Sequence, residues 1–341
     1  MVSYSDVLAH NDNLKHHSPN LVALFVGATS GIGLATLRVL ATQLVRPTIY
    51  IVGRSQAKFA AELSQLKRQN STADFVFIES EIALLENVNR VCVHLAKHEL
   101  RLDLLYLSPG YLGFGGPHLT GEGLDTCFAL SLYSRMLFVQ GLLPLLLAAP
   151  QPRVLSVLAG GHERALYTVN GDLGLRNRQN YTAPRAVDQV TTLHTLAFVH
   201  LASRYPKIAF LHTYPGWVAT NFLSSLLGTL GVGGRLLDKI VQPLYRLVAI
   251  DVEESGQWHA YYATSRRYPS RRMIESAQLD VENAAQSHSA YSGVYLVLAD
   301  GETCTSKGLL KRLEVDSWPD RSWKYLEGIF EEVLNTEKTV S

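Results

Sequence analysis

Seven consecutive residues, Gly27-Ala28-Thr29-Ser30-Gly31-Ile32-Gly33, have the types and spacing to hold a phosphate group. Backbone N–H groups at the start of a helix converge on one spot and carry the positive end of the helix dipole, so they attract anions. That chemistry needs a turn tight enough to present them. Gly27 allows the tight turn, Gly31 lets a ligand approach the backbone, and Gly33 lets a following helix pack closely on a preceding strand. The flanks supply both elements. Residues 21–26 are an apolar run that reads as a buried strand, and residues 34–44 carry a helical pattern.

A second candidate lies where the next strand ends. Residues 48–52 read as a buried strand that stops at Gly53-Arg54-Ser55. In a dinucleotide-binding fold this point meets the adenosine ribose, where an acid would bind the 2′-hydroxyl and repel a 2′-phosphate. Here the acid is absent, and Arg54 offers a permanent cation with a planar fork suited to phosphate. The reading is NADP(H) rather than NAD(H). His94 and His98, four apart on a helix, have a spacing that could hold a metal. No third ligand stands nearby, so a solvated helix face is expected and no metal site is assigned.

Composition narrows the classes. The 341 residues are 47% apolar, ample for a large core. Lys+Arg 31 against Asp+Glu 30, with no basic block, excludes nucleic acid as an implied partner. Cys92, Cys127 and Cys304 are widely separated and odd in number, which fits a reducing compartment rather than a disulfide framework. The first twenty residues lack the apolar core of a signal peptide, so a cytoplasmic location is expected. The most apolar run, 136–149, is interrupted by Gln140 and Pro144. It reads as a buried helix, and no integral membrane segment is expected.

Along the chain, further strands are expected at 75–78, 102–107, 153–158, 208–213 and 291–298. Helices are expected at 56–69, 123–149, 187–201, 253–264 and 320–334, with a polar surface loop at 266–286. Strands alternating with helices imply an α/β fold, a doubly wound parallel sheet with helices on both faces. Residues 1–20 read as an N-terminal extension and 21–341 as one domain, with 220–341 its substrate-binding and C-terminal part. The segment 222–250 is apolar with glycine breaks and carries Arg235, Asp238, Lys239 and Arg246. It reads as a pair of amphipathic helices capping the ligand end of the sheet, a peripheral membrane contact being the alternative.

These residues resemble the classical short-chain dehydrogenases/reductases over roughly 21–220, and more loosely beyond. Gly27 to Gly33 looks like the family's cofactor loop. Leu107-Ser108-Pro109-Gly110 stands where the family has Asn-Asn-Ala-Gly. Pro215-Gly216-Trp217-Val218-Ala219-Thr220 resembles its Pro-Gly segment that holds the nicotinamide carboxamide. The resemblance therefore implies a three-layer Rossmann-like domain, with Gly27, Thr29, Ser30, Gly31, Ile32, Gly33, Arg54, Ser55, Ser108, Gly110, Pro215, Gly216 and Val218 holding the cofactor. The family works with an Asn, Ser, Tyr and Lys: the tyrosine hydroxyl moves a proton, the lysine lowers the tyrosine pKa, the serine orients the substrate oxygen, and the asparagine supports a water relay. By the same likeness Ser131 stands at the asparagine position, Ala159 at the serine position, and Tyr181-Thr182-Ala183-Pro184-Arg185 fits Tyr-x-x-x-Lys with arginine for lysine.

The catalytic expectation is thus Tyr181 assisted by Arg185 and Ser131. Ser156 is not expected to stand in for Ala159, because an odd offset along a strand turns the side chain to the other face. Pro184 is tolerated only in a helix's first turn, which would leave Tyr181 in the preceding loop. Similarity to fungal members of natural-product pathways implies an NADP(H)-dependent oxidoreductase acting on a hydrophobic carbonyl or alcohol metabolite. The rival readings are a non-redox isomerase, dehydratase or cyclase, and a catalytically dead binding protein. The partner expected is a small hydrophobic substrate, with homo-oligomerisation left open.

Overall fold

The computed structural model describes residues 2–16, 19–113, 116–276, 293–304 and 308–336. Its strands are β1 (Val22–Val26), β2 (Thr48–Gly53), β3 (Asp74–Glu79), β4 (Leu104–Leu107), β5 (Arg153–Val157), β6 (Ala209–Thr213), β7 (Val294–Val297) and β8 (Thr303–Cys304). They form one sheet in the order β3-β2-β1-β4-β5-β6-β7-β8, parallel except for β8. Since β1 and β4 are neighbours, the chain leaves the sheet centre in opposite directions from them, and the crevice between is the topological switch point.

The helices are α1 (Tyr4–Asp12), α2 (Gly31–Gln43), α3 (Gln56–Gln69), α4 (Leu85–His98), α5 (Thr126–Phe128), α6 (Ser134–Ala148), α7 (Ala183–Arg204), α8 (Phe222–Gly228), α9 (Gly231–Val248), α10 (Val252–Thr264), α11 (Arg271–Ser276), α12 (Leu309–Val315) and α13 (Trp318–Thr336). Strand side chains alternate between two cores. Ala23, Phe25, Ile49, Ile51 and Tyr106 pack with Leu37 and Leu40 of α2 and Tyr262 of α10. Leu24, Val26, Val52, Leu105 and Leu107 pack with Leu95 of α4, Phe138 of α6, Phe198 of α7 and Phe330 of α13. Both faces of the strands are therefore apolar, which is why the sequence shows continuous runs rather than alternation. The first residues join the core beneath α2 and α10: Val7 of α1 is buried, and Asn11 Nδ2 donates to the Gln257 carbonyl of α10 at 2.9 Å.

Several boundaries differ from expectation. The single helix expected over 123–149 is interrupted by a π-turn, Ala129–Tyr133, between α5 and α6. The whole run Thr126–Ala148 is long and apolar enough to cross a membrane, yet most of it is buried, as in a core helix. The helix expected at 187–201 starts at Ala183, with Thr182 as its N-cap and Pro184 in its first turn. Part of the loop expected at 266–286 is helical, as α11, and its remainder from 277 lies outside the described residues. The strand expected at 291–298 is β7; 291–292 lie outside the described residues. β8 was not anticipated, a two-residue strand being too short to carry a pattern.

Gly27 ties the fold to the site. Its φ is +83°, and a Cβ there would stand 2.5 Å from the Pro109 backbone nitrogen. Gly27→Ala is expected to lose about 2–4 kcal/mol of stability in urea unfolding, because the backbone of the next strand end cannot step aside. A loss below about 1 kcal/mol would show that the two turns are not locked together.

Candidate active site

The glycine turn has the geometry of an anion cradle. Gly31 opens α2 with φ +57°, and Ser30 caps the helix without a side-chain hydrogen bond, so the first-turn N–H groups face outward from the strand end. A Cβ at Gly33 would come 2.5 Å from Ser108 Oγ and 2.9 Å from the Ala28 backbone, the close helix–strand packing expected of that glycine. Ser108 Oγ donates to the Gly27 carbonyl at 3.2 Å. Thr220 closes the other side, its methyl 3.3 Å from where a Gly31 Cβ would be. Gly216, in the Pro215–Val218 segment, has φ +76°, and Val218 bridges to Ile250. The turn, the Ser108–Gly110 segment and the segment ending at Thr220 thus converge on the switch point.

Arg54 sits exposed at the end of β2, next to Gly53, where a Cβ would come 2.5 Å from the Thr29 methyl. Ser55 caps α3, accepting the Lys58 N–H at 3.4 Å. Glu79, paired with Gly53 at the end of β3, accepts the Gln56 N–H at 2.7 Å, so it serves the start of α3.

Tyr181 is 7% exposed and lies in the loop before α7, as Pro184 requires. Its hydroxyl lies near the Asp125 carboxylate. Burial, then the Asp125 charge, push its pKa above the usual tyrosine range. Asp125 caps α5, accepting the Phe128 N–H at 3.2 Å and the His118 N–H at 3.0 Å, and burial raises its pKa. The Cys127 thiol lies near Ser131 in the π-turn, and Ser131 Oγ lies 4.0 Å from where a Gly110 Cβ would stand. Tyr181, Asp125, Cys127 and Ser131 therefore form one cluster against the Gly110–Tyr111 loop. π-turns of this kind recur at functional sites because they re-aim side chains.

Arg185 is the correction. It was expected to hold the Tyr181 pKa down, but its guanidinium donates to the Asn180 carbonyl and lies over the Tyr167 ring, 4.3 Å from the centroid. The helix begins between the two residues. They do not share one helix face as an i, i+4 pair, and the cation caps the loop instead. His162 is exposed, its ring 4.1 Å from that of Tyr214 beside the Pro215–Gly216 segment. His94 and His98 lie exposed on α4, as expected.

Beneath the cluster lies a residue the sequence did not single out. Arg135, 1% exposed, donates to the Leu130 carbonyl at 3.2 Å, Ser156 Oγ at 2.6 Å, the Val157 carbonyl at 2.9 Å and the Pro109 carbonyl. It joins the π-turn to the ends of β4 and β5. All four partners are neutral, and burial pulls its pKa down to about 9. Ser156 Oγ is taken up by Arg135. Ala159 itself donates its N–H to His212 Nε2 at 3.3 Å. The His212 proton is then on Nδ1, 2.7 Å from Thr195 Oγ1, which donates to Glu163 at 2.7 Å. Asp125, Arg135, His212 and Glu163 escape sequence reading because nothing local distinguishes them from a helix cap or core polar residues.

Comparison with known proteins agrees with this geometry. The family model described as short chain dehydrogenase matches residues 21–226. An oxidoreductase of Emericella nidulans is 35% identical over 98% of this chain and 100% of its own length. An oxidoreductase of Aspergillus flavus is 34% identical over 98% of each chain. Among solved structures, L-sorbose reductase from Gluconobacter frateurii, complexed with NADPH and L-sorbose, superposes with a TM-score of 0.57. It is 16% identical, covering 84% of this chain and 98% of its own, a likeness of fold.

Proposed function

This chain belongs to the short-chain dehydrogenase/reductase family, and we propose that it is an NADP(H)-dependent oxidoreductase acting on a bulky, largely apolar carbonyl or alcohol of secondary-metabolite biosynthesis. The observation that carries the reading is the convergence of the Gly27–Gly33 turn, Ser108–Gly110 and Thr220 at the switch point, with the Tyr181–Asp125 pair beside Gly110. The cradle fits a dinucleotide: Gly27 and Gly31 have the positive φ it needs, and the α2 N-terminus faces it. Bound there, the cofactor supplies or accepts hydride. Thr29, Ser30, Gly31, Ile32 and Gly33 hold its phosphates, Arg54 and Ser55 the 2′-phosphate, and Ser108, Gly110, Pro215, Gly216 and Val218 the nicotinamide end. The segment after Thr220 supplies the substrate wall. Three free cysteines, two of them buried, fit a cytoplasmic location.

In the reducing direction Tyr181 gives its hydroxyl proton to the substrate oxygen and is reprotonated from water. Its raised pKa, from burial and the Asp125 charge, keeps the hydroxyl in the proton-holding form this needs. Ser131, near Cys127, lines the same cluster.

The test of the cofactor reading is Arg54→Asp. Losing a charge-assisted phosphate contact is expected to weaken NADPH binding by roughly 10- to 100-fold and leave NADH nearly unchanged, as read by fluorescence titration. Equal affinity of the native protein for both cofactors would overturn it. A non-redox reading is favoured by one observation: the Arg185 guanidinium is engaged by the Asn180 carbonyl and the Tyr167 ring, which leaves Tyr181 beside the Asp125 carboxylate rather than that cation. Product formation without any change in nicotinamide absorbance would select that reading, and no product at all would select a binding protein.

A further inference from the structure

α9 presents its apolar side to solvent. Val232, Leu236, Ile240, Leu244, Leu247 and Val248 fall on one stripe of the helix and are each 60% to 81% exposed. Its polar side faces inward. Asp238 accepts the Ser224 hydroxyl at 2.9 Å, Gln242 donates to Ser224 at 2.6 Å, and the Tyr245 hydroxyl donates to the Val218 carbonyl at 2.8 Å. A Cβ at Gly234 would stand 1.8 Å from the Leu227 carbonyl oxygen, so α8 and α9 are locked at close approach. Among the described residues α9 packs chiefly on α8. The outward apolar stripe is thus held there by the packing.

The border of the stripe has a sign. Lys239, Arg246 and Arg235 are exposed and follow one another along one flank, while the helix's single carboxylate, Asp238, is turned inward. Trp217, 68% exposed, stands beside the helix, its ring 6.3 Å from that of Tyr245. An apolar stripe, a basic edge and an amphipathic aromatic are the parts of a helix that lies in a lipid interface.

We infer that the outer face of α9, with Trp217, docks on an anionic lipid bilayer surface. The partner chemistry follows from the charges: basic side chains at headgroup level meet anionic lipid, and the stripe enters the acyl boundary. A second copy of this chain is the poorer occupant. The 18 residues of α9 span about 27 Å, so its face offers on the order of 300 Å², against the roughly 800 Å² per partner of a stable interface. Docking would set the Pro215–Val218 segment, and with it the cleft mouth, at the membrane surface. The inference does not depend on which reaction the cleft performs.

The experiment is sedimentation of the full chain with vesicles of phosphatidylcholine alone or mixed with phosphatidylserine. The native protein is expected to sediment with the mixed vesicles and at least about tenfold less with the neutral ones. Ile240→Asp with Leu244→Asp should abolish binding, and Lys239→Glu with Arg246→Glu should weaken it about tenfold or more, each with NADPH affinity unchanged. Both pairs are solvent-exposed, so thermal melting should show them folded. Native protein that stays in the supernatant with every vesicle overturns the inference. So does concentration-dependent self-association removed by the Asp pair, which would make the face a contact between copies. Vesicle binding that survives the Asp pair would overturn it too.

Discussion

Tyr181→Phe is expected to lower turnover by roughly 10²–10⁴-fold while NADPH affinity stays within about threefold. The substitution keeps the buried ring and removes the hydroxyl that lies near Asp125. Asp125 still accepts the Phe128 and His118 N–H groups, so the fold survives. Asp125→Asn removes the nearby charge that raises the Tyr181 pKa, so the alkaline fall of reductive turnover should begin at a lower pH. Arg185→Met, by contrast, should change turnover by less than about threefold, because the guanidinium serves the Asn180 carbonyl and the Tyr167 ring. Ala159→Ser should leave turnover unchanged or raise it by restoring a hydroxyl donor. Equal losses in Tyr181→Phe and Arg185→Met would mean that the cation works on the tyrosine after all. An unimpaired, well-folded Tyr181→Phe protein would remove the tyrosine from the chemistry.

Mild acid is expected to destabilise the protein through histidines buried in neutral form. His212 is pulled down to about 3 and His259 to about 4, both by burial, and His194 also lies well below the usual value. The unfolded chain takes up these protons as pH falls through about 6.5, whereas the folded chain does not until near 3–4. The folded state binds fewer protons in that window, so stability is full above it and falls as pH drops. Each group contributes about 1.4 kcal/mol per pH unit, up to roughly 3 kcal/mol for His259. Asp125 and Glu163, whose pKa values are raised, act with the opposite sign. The measurement is therefore a difference: urea stability of native and His259→Gln protein between pH 6.5 and 4.5. The native slope should be steeper by about one proton. Parallel curves would show that this imidazole is not held neutral.

Much of the fold was legible in the sequence because its signals are local. A strand apolar on both faces, a glycine turn and a helix pattern determine the Gly27–Gly33 cradle without help from distant residues. Arg54 at the end of β2 follows from the same unit, as does the start of α7, since Pro184 permits a helix only from its first turn. What depended on distance was not legible. Asp125 meets Tyr181 across 56 positions, and only the packing of α5 against the loop before α7 selects it over Arg185. Arg135 joins the ends of β4 and β5 because their carbonyls stop side by side in the assembled sheet. The amphipathic character of 231–248 was plain from spacing. Which side faces water was decided by tertiary contacts, since Ser224 and the Val218 carbonyl bind the polar side of α9 and turn the apolar one outward.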